Sequence, residues 1–242
     1  MKFSSRDKNY KSKRAEFAER YGKRELWSVI DQWPLYCGIG NLSRFLAIYE
    51  IFCSTKAVPG HVAEFGSWRG ANVLFLAKLL RIFDPHGSKM THCFDSFEGL
   101  IEFSQQDGNA KVMGAGAPYT QGSLQELQDI IALYDMQDEI EIHKGFIEKT
   151  LPALLEEKKA LSFSFVYCDA DLYSPTKTVL ELVHPRLSEG GVFVFDEWNF
   201  EDCPGETSAC REFLESHGHM YRQEHASNTH QPTLVLRKIA SC

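Results

Sequence analysis

The chain has 242 residues, of which 43% are hydrophobic, and its formal net charge is −7. This length suits one α/β domain, and no apolar run approaches the roughly 20 residues that a membrane span requires. The negative charge argues against nucleic acid as a partner. The seven cysteines are scattered without a C-x-x-C pair, which is typical of reduced thiols, and no secretory signal is recognisable, so we expect a cytoplasmic protein.

Residues 1–58 are predicted to form a helical extension that precedes the sheet. Its first 24 residues carry nine Lys or Arg against three Asp or Glu, which suits either a solvated tail or an arm or lid for an anionic partner. Apolar residues recur at helical spacing over residues 14–33, up to Pro34, and a second helix is predicted over residues 42–55. The main domain is predicted to comprise residues 59–242.

From residue 59 onward, short apolar runs alternate with amphipathic segments. This alternation predicts a doubly wound α/β fold, in which helices cover both faces of a mostly parallel sheet. The last two strands are separated only by a short polar segment, so they should pair as an antiparallel hairpin at the end of the sheet. Strands are predicted at residues 61–65, 91–94, 140–143, 163–168, 192–195, 221–225 and 233–236. Helices are predicted at residues 70–83, 123–134, 150–158, 175–187 and 208–217.

The long segment over residues 101–122 interrupts this alternation and is rich in Gly, Ala and Gln. Loops of this length inside compact domains are usually lids or binding loops. We therefore expect this segment to be a lid or a binding loop.

The first predicted strand ends in Glu64-Phe65-Gly66, and a helix is predicted to begin at Gly70. Glycine at position 66 lets the backbone turn sharply and approach a ligand, and the helix N-terminus offers unpaired N–H groups to an anion. The next strand is followed by Asp95, at a position where an acidic residue commonly holds a ribose diol. The combination favours a nucleoside-bearing cofactor, although the G-x-G-x-x-G fingerprint of dinucleotide sites is absent.

Two acidic pairs follow two later apolar runs. Asp169 and Asp171 follow the fourth predicted strand, and Asp196 and Glu197 follow the fifth. Because one helix joins these strands, their C-terminal ends lie at the same edge of a parallel sheet, where open α/β sheets bind ligands. Converging carboxylates repel one another unless a cation lies between them, and a hard divalent ion is the natural candidate. The alternative is that these acids only end strands and begin loops.

Five segments resemble, in order, the motifs of the macrocin O-methyltransferase family: EFGSWRG, DSFEGL, KGFIEKTLP, CDADLYSPTK and FDEWN. Members of that family depend on S-adenosylmethionine and Mg²⁺, and they methylate sugar hydroxyls of antibiotics and related natural products. The resemblance implies a Rossmann-like class I methyltransferase sheet of seven strands that methylates a hydroxyl of a small molecule. It also suggests a homo-oligomer, most simply a dimer.

The same resemblance assigns cofactor contacts to individual residues. The methionine half of S-adenosylmethionine would be held by Glu64, Gly66, Ser67, Trp68 and Arg69. The ribose and adenine would be bordered by Asp95, Ser96, Ser123, Gly145, Phe146 and Ile147.

For the cation, the resemblance implies Asp169 and Asp196 as ligands of Mg²⁺ or Mn²⁺, with Asp169 also bordering the cofactor. Glu197 would be a further ligand and stands where the family more often has a second Asp. Asp171 would be the catalytic general base. A bound divalent cation lowers the pKa of a hydroxyl and positions it, and a neighbouring carboxylate can then take its proton.

Three other functions account for part of the pattern. A D-x-D motif after an apolar run also occurs in aspartyl-phosphate hydrolases, but they carry it on the first strand, whereas here it follows the fourth. The motif occurs too in metal-dependent glycosyltransferases, where it binds a nucleotide-sugar diphosphate. The glycosyltransferase alternative leaves Glu64, Gly66 and the DSFEGL motif unexplained. A non-catalytic module that binds S-adenosylmethionine would have no need of four acids at the sheet edge.

Overall fold

The protein is represented by a computed structural model that describes residues 30–108, 122–226 and 229–239, together with Lys13, Glu16, Phe17, Glu19 and Arg20. Most of the helix predicted over residues 14–33 and most of the loop predicted over residues 101–122 lie outside these described residues. Pro34, predicted to end a helix, lies instead in the first turn of a new one. Within the described ranges, no helix combines the length and the apolar character needed to cross a bilayer.

The described part of the chain forms one sheet with helices around it. The strands are β1 (His61–Phe65), β2 (Thr91–Asp95), β3 (Ile140–Lys144), β4 (Phe163–Cys168), β5 (Leu187–Phe195), β6 (Tyr221–Glu224) and β7 (Leu234–Lys238). The α-helices are α1 (Trp33–Tyr36), α2 (Ile39–Thr55), α3 (Ala71–Phe83), α4 (Leu124–Leu133), α5 (Ile147–Glu157), α6 (Tyr173–Val183) and α7 (Pro204–His217). Short 3₁₀ turns occupy Gln105–Asp107, His184–Arg186 and Gly218–Met220.

The strand order is β3-β2-β1-β4-β5-β7-β6. Strands β1 to β5 are parallel, whereas β7 runs antiparallel to both β5 and β6. The predicted doubly wound α/β sheet of seven strands with an antiparallel hairpin is therefore confirmed. The antiparallel strand lies second from the edge and not at the end of the sheet. Strand β7 is almost entirely buried, whereas β6 exposes half of its residues, so the more apolar strand takes the inner position.

Helices pack against both faces of the sheet. On one face, α5, α6 and α7 contact a cluster that includes Phe163 and Phe193. On the other face, Ile48 and Phe52 of α2 pack with α3 against Phe165. Burying one such side chain stabilises a fold by about 1.5–3 kcal/mol. Helix α2 therefore shares a hydrophobic core with the sheet, and the predicted domain boundary at residue 58 does not separate two cores.

The largest errors in the predicted boundaries lie at the start of β5 and at three helix ends. Helix α6 ends at Val183 and β5 begins at Leu187, five residues before its predicted start at 192. Ser188, Glu189 and two glycines separate Leu187 from the apolar run that begins at Val192, and they conceal the start of this strand in the sequence. Helix α7 begins at Pro204 because proline is favoured in the first helical turn. Helix α5 likewise begins early, at Ile147.

Candidate active site

A cavity of about 630 Å³ opens at the C-terminal ends of β1, β2, β4 and β5. This is the edge where open parallel sheets bind ligands, and the volume lies within the range of about 300–1,000 Å³ typical of small-molecule sites. The residues predicted from the sequence that line it are Glu64, Gly66, Ser67, Trp68, Asp95, Ser96, Gly145, Phe146, Ile147, Asp169, Asp171, Asp196 and Glu197.

Gly66 brings the ends of β1 and β4 together. Its φ is +86°, and a side-chain carbon there would clash with the carbonyl group of Asp169. The Gly66 N–H donates to the Phe94 carbonyl at 2.9 Å, and the Asp169 N–H donates to the Phe65 carbonyl at 2.8 Å. Only glycine accommodates both the conformation and the close approach. The predicted cofactor residues and the acidic cluster consequently share one cavity.

Asp95 organises the turn after β1. One of its oxygens accepts hydrogen bonds from the N–H groups of Ser67, at 2.8 Å, and Trp68, at 2.7 Å. The other oxygen accepts the Phe97 N–H at 2.6 Å. Burial raises the pKa of Asp95, and these hydrogen bonds oppose that increase. A carboxylate oxygen has about two acceptor sites, so the oxygen bound to Phe97 can still accept a hydroxyl of a ligand.

Glu64 is a buried acid in the wall of the cavity. Its side chain is 1% exposed, and its Oε2 atom has no hydrogen-bond partner among the described residues. Burial raises the pKa of Glu64 to about 7, and a hydrogen bond with Asn72 opposes that increase. An unsatisfied buried carboxylate oxygen is costly, and a cationic or hydroxyl group of a ligand would satisfy it.

The acidic pairs after β4 and β5 converge as predicted. One carboxylate oxygen from each of Asp169, Asp196 and Glu197 lies within 4.8 Å of those of the other two. A second set of the same tightness combines Asp171, Glu197 and Cys203. Burial raises the pKa of Asp171 to about 7, and the neighbouring charge of Asp196 adds to the increase. The φ of Asp171 is +59°, a conformation that L residues rarely adopt.

Arg44 of α2, which was not predicted as a site residue, lies between the ends of β4 and β5. Its Nη1 donates to Asp196 Oδ2 at 2.9 Å, and its Nη2 donates to Asp169 Oδ2 at 3.0 Å. The buried hydroxyl of Tyr167 donates to the other oxygen of Asp196. The only signal for Arg44 in the sequence is a cation in a largely apolar helix, where Glu50 is the other charged residue.

Glu197 is held by two residues that were also missed. Gln231 Nε2 donates to Glu197 Oε1 at 2.7 Å, and the Glu197 backbone N–H donates to Glu206 Oε1 at 2.7 Å. Burial raises the pKa of Glu197 to about 8, and the charges of Asp171 and Asp196 contribute further. Its Oε2 is buried without a partner among the described residues.

The donor chemistry of Asp169, Asp196 and Glu197 fits a hard divalent cation. All three offer carboxylate oxygens, the ligands that Mg²⁺ prefers, and Glu197 Oε2 is free to bind. The alternative set includes the Cys203 thiol, a soft ligand that suits Mg²⁺ poorly, and burial raises its pKa. The first set is therefore the better cation site.

Two predicted cofactor residues lie outside the described cavity lining. The side chain of Arg69 is 54% exposed and its guanidinium lies 3.2 Å from a Glu126 carboxylate oxygen. The Ser123 hydroxyl caps α4 by accepting the Glu126 N–H at 3.2 Å. Ser96 does line the cavity, and its hydroxyl accepts the Glu98 N–H at 3.1 Å. The roles of Arg69 and Ser123 toward a cofactor remain predictions.

The beginning of the loop predicted over residues 101–122 is attached to the site by Asp107, a residue that the sequence analysis missed. Asp107 is fully buried, and its Oδ1 accepts the Tyr173 N–H at 2.6 Å. Its Oδ2 accepts both the N–H and the hydroxyl of Ser104 at 2.6 Å. These bonds hold the segment from Ser104 to Asp107 against the start of α6, next to Asp171.

The chain matches the macrocin O-methyltransferase (TylF) family over residues 11–228. It is 30% identical over 153 residues to the 8-demethyl-8-(2,3-dimethoxy-alpha-L-rhamnosyl)-tetracenomycin-C 4'-O-methyltransferase of Streptomyces olivaceus, covering 60% of this chain and 56% of that protein. It is 28% identical over 167 residues to the mycinamicin III 3''-O-methyltransferase of Micromonospora griseorubida, covering 66% and 63%. The chain thus spans less than two thirds of the length of these curated relatives.

Two solved structures share the fold. The calicheamicin methyltransferase CalS11 superposes with a TM-score of 0.74 at 24% identity, covering 86% of this chain and 84% of that chain. The O-methyltransferase NovP superposes with a TM-score of 0.68 at 20% identity, covering 83% and 81%. The resemblance seen in the five sequence motifs is confirmed, since the family match extends over most of the residues. This chain belongs to the macrocin O-methyltransferase family.

Proposed function

We propose that this protein transfers a methyl group from S-adenosylmethionine to a sugar hydroxyl of a small natural product, with the help of a divalent cation. The observation that carries the proposal is one cavity in which Glu64 and Asp95 lie beside Asp169, Asp171 and the other acids. Both curated relatives are named as O-methyltransferases, and the name of one includes a rhamnosyl group. These names support a sugar hydroxyl as the acceptor.

For the cofactor, the residues present fit S-adenosylmethionine, which supplies an activated methyl group on a sulfonium centre. The unsatisfied oxygen of Glu64 suits the ammonium of the methionine half, and the turn after Gly66 leaves room for its backbone. The remaining acceptor site of Asp95 suits a ribose hydroxyl. Holding the methyl group in line with the acceptor can contribute about 7–11 kcal/mol of the barrier.

For the cation, Asp169, Asp196 and Glu197 would hold Mg²⁺ or Mn²⁺. A bound divalent cation lowers the pKa of a coordinated hydroxyl and positions it. Arg44 offers these acids one positive charge, and three carboxylates so close to one another in a largely buried site need more positive charge than that to ionise together.

Asp171 is proposed as the general base. The acceptor oxygen forms its bond to the methyl carbon while the bond from carbon to sulfur breaks, and Asp171 takes the hydroxyl proton. General base catalysis typically contributes about 10²–10⁴-fold. The left-handed backbone of Asp171 supports this role, because strained residues tend to lie at functional sites.

The proposal is tested by calorimetry and by transfer of label. S-adenosylhomocysteine should bind the purified protein with micromolar affinity, which corresponds to about −8 kcal/mol. With Mg²⁺ present, tritiated methyl groups should pass from S-adenosylmethionine to rhamnosylated natural products. Binding of a nucleotide sugar in place of S-adenosylhomocysteine would contradict the proposal and revive the glycosyltransferase alternative. The family of this chain gives that alternative no support.

The expected dimer and the cytoplasmic location remain predictions. Light scattering on the purified protein would measure the first, and fractionation of the source cells would measure the second.

A further inference from the structure

We propose that Arg44 and the divalent cation are alternative occupants of the same two carboxylates, so that binding of the cation displaces the Arg44 guanidinium. The inference rests on the cation requirement proposed above. Arg44 bridges the ends of β4 and β5, with contacts of 3.0 Å to Asp169 Oδ2 and 2.9 Å to Asp196 Oδ2. Its positive charge thus lies between the strand ends, where the sequence pattern predicts a divalent cation.

The competition follows from the oxygens of Asp196. One oxygen accepts the hydroxyl of Tyr167, a fully buried side chain. The other is the oxygen that Arg44 contacts, so a cation that binds Asp196 Oδ2 shares its ligand atom with the guanidinium. Because Mg²⁺ binds oxygen at about 2.1 Å, the guanidinium nitrogen and the ion could lie no more than about 5 Å apart. Two positive charges at that distance in a partly buried site repel each other strongly.

Gln231 links Arg44 to the third acid of the site. Its Oε1 lies 3.4 Å from Arg44 Nη1, and its Nε2 donates to Glu197 Oε1 at 2.7 Å. Departure of the guanidinium would therefore free an acceptor on Gln231 in the same step that makes Asp169 and Asp196 available. The three predicted cation ligands and Arg44 form one connected network.

The displacement needs only a movement of the Arg44 side chain. Ile48 and Phe52, further along α2, are 0% and 3% exposed in the core shared with the sheet, so the helix is anchored. The Arg44 side chain itself is 22% exposed and lines the cavity. It therefore has a route toward solvent without unfolding of α2.

The first arm of the test measures Mn²⁺ binding by electron paramagnetic resonance, without cofactor or acceptor. Arg44→Gln should bind Mn²⁺ at least about tenfold more tightly than the unaltered protein, because the competing charge is gone. Arg69→Gln is the matched control, since it also removes one arginine charge near the cavity. Arg69 is 54% exposed and pairs with Glu126, so solvent and salt screen its charge, and its loss should change the affinity less than twofold.

The second arm uses the unaltered protein, so it decides the question even if Arg44→Gln fails to fold. Phenylglyoxal modifies accessible arginines, and peptide mass spectrometry reports each site separately. Saturating Mn²⁺ should raise the modification of Arg44 severalfold, because its carboxylate partners are then bound to the ion. Modification of Arg69 should stay unchanged by Mn²⁺.

The outcomes separate this inference from the proposed cation requirement. If Mn²⁺ binds but Arg44 labelling is unchanged and Arg44→Gln binds no more tightly, the inference is overturned and the cation requirement stands. If Mn²⁺ binds none of the proteins, both proposals fail. If Arg44→Gln binds Mn²⁺ and the other two proteins do not, Arg44 competes so strongly that it excludes the ion.

Discussion

The aspartates in the two halves of the cavity are stabilised by different kinds of partner. At the ends of β1 and β2, Asp95 accepts three backbone hydrogen bonds of 2.6 to 2.8 Å. At the ends of β4 and β5, Asp169 and Asp196 are balanced instead by a guanidinium from another element. The two halves are alike in one respect, since Glu64 and Glu197 each keep a buried oxygen without a partner among the described residues.

This difference indicates which half is ready for its ligand. Backbone hydrogen bonds hold the turn after β1 in place before any cofactor arrives, so little reorganisation is needed there. The acids after β4 and β5 instead depend on a charge that is not part of the sheet. We therefore expect the ends of β1 and β2 to bind the cofactor without a metal. The acids at the ends of β4 and β5 should need a metal to function.

The largest effect should follow removal of the divalent cation. Excess EDTA should abolish methyl transfer, because the acceptor hydroxyl is then neither positioned nor acidified. Calorimetry should show S-adenosylhomocysteine binding within about twofold of its value with Mg²⁺, since Glu64 and Asp95 need no metal. Full turnover in EDTA would contradict this difference between the halves and show that Asp169 and Asp196 need no positive charge beyond the protein's own.

Asp171→Asn should lower kcat by about 10²–10⁴-fold, because the amide keeps the shape of the side chain but cannot take a proton. Mn²⁺ affinity should remain near that of the unaltered protein. The control is Asp202→Asn, an exposed acid on the loop after β5, which should retain nearly full activity. If Asp171→Asn keeps more than about a tenth of kcat, the base lies elsewhere.

Asp95→Asn tests the prearranged half. The amide presents one acceptor oxygen where the carboxylate presents two, so at least one hydrogen bond to the turn is lost. The ribose hydroxyl also loses its charged acceptor, a bond that contributes about 1.5–3 kcal/mol, which predicts roughly 10- to 150-fold weaker binding of S-adenosylhomocysteine by calorimetry. Ser96→Ala, which removes a neutral hydroxyl, should weaken binding less than about tenfold. Equal effects of the two changes would argue against an organising role for Asp95.

The smallest predicted effect concerns pH. The pKa of Glu64 is raised to about 7 by burial, and a cationic ligand favours its ionised form. Affinity for S-adenosylhomocysteine should thus be high above pH 7 and decline below it, by about fivefold between pH 7 and pH 6. The amino group of the ligand stays protonated over this interval. Titration calorimetry on Glu64→Gln should show a flat profile, and a flat profile for the unaltered protein would remove Glu64 from this role.

The acids of the site could be predicted because their signal is local. Asp169 and Asp196 each follow an apolar run directly, and parallel topology then brings the strand ends together. Arg44 could not be predicted in this way, because it lies 125 and 152 residues from the acids that it contacts. Helical spacing alone does not show which side chain of α2 reaches over the sheet edge. Asp107, attached to Tyr173 across 66 residues, escaped prediction for the same reason.

Strand order shows the same division between local and distant information. The hairpin of β6 and β7 could be predicted, because a short polar segment joins two strand-like runs. The hairpin joins the rest of the sheet through β7, which pairs with β5 from Val192↔Arg237 to Phe195↔Leu234. No local pattern in the sequence specifies this pairing. The stronger apolar character of β7 was the available signal.

The left-handed backbone of Asp171 has a consequence for laboratory evolution. A residue other than glycine in this conformation destabilises the fold by about 1–2 kcal/mol, and somewhat less for aspartate. Glycine at position 171 would relieve that strain and remove a carboxyl group from the cavity wall. A library selected for heat resistance alone would therefore enrich glycine at this position, and with Asp171 as the proposed general base those variants would be robust but inactive. Selection for thermostable forms of this protein should score turnover in the same round.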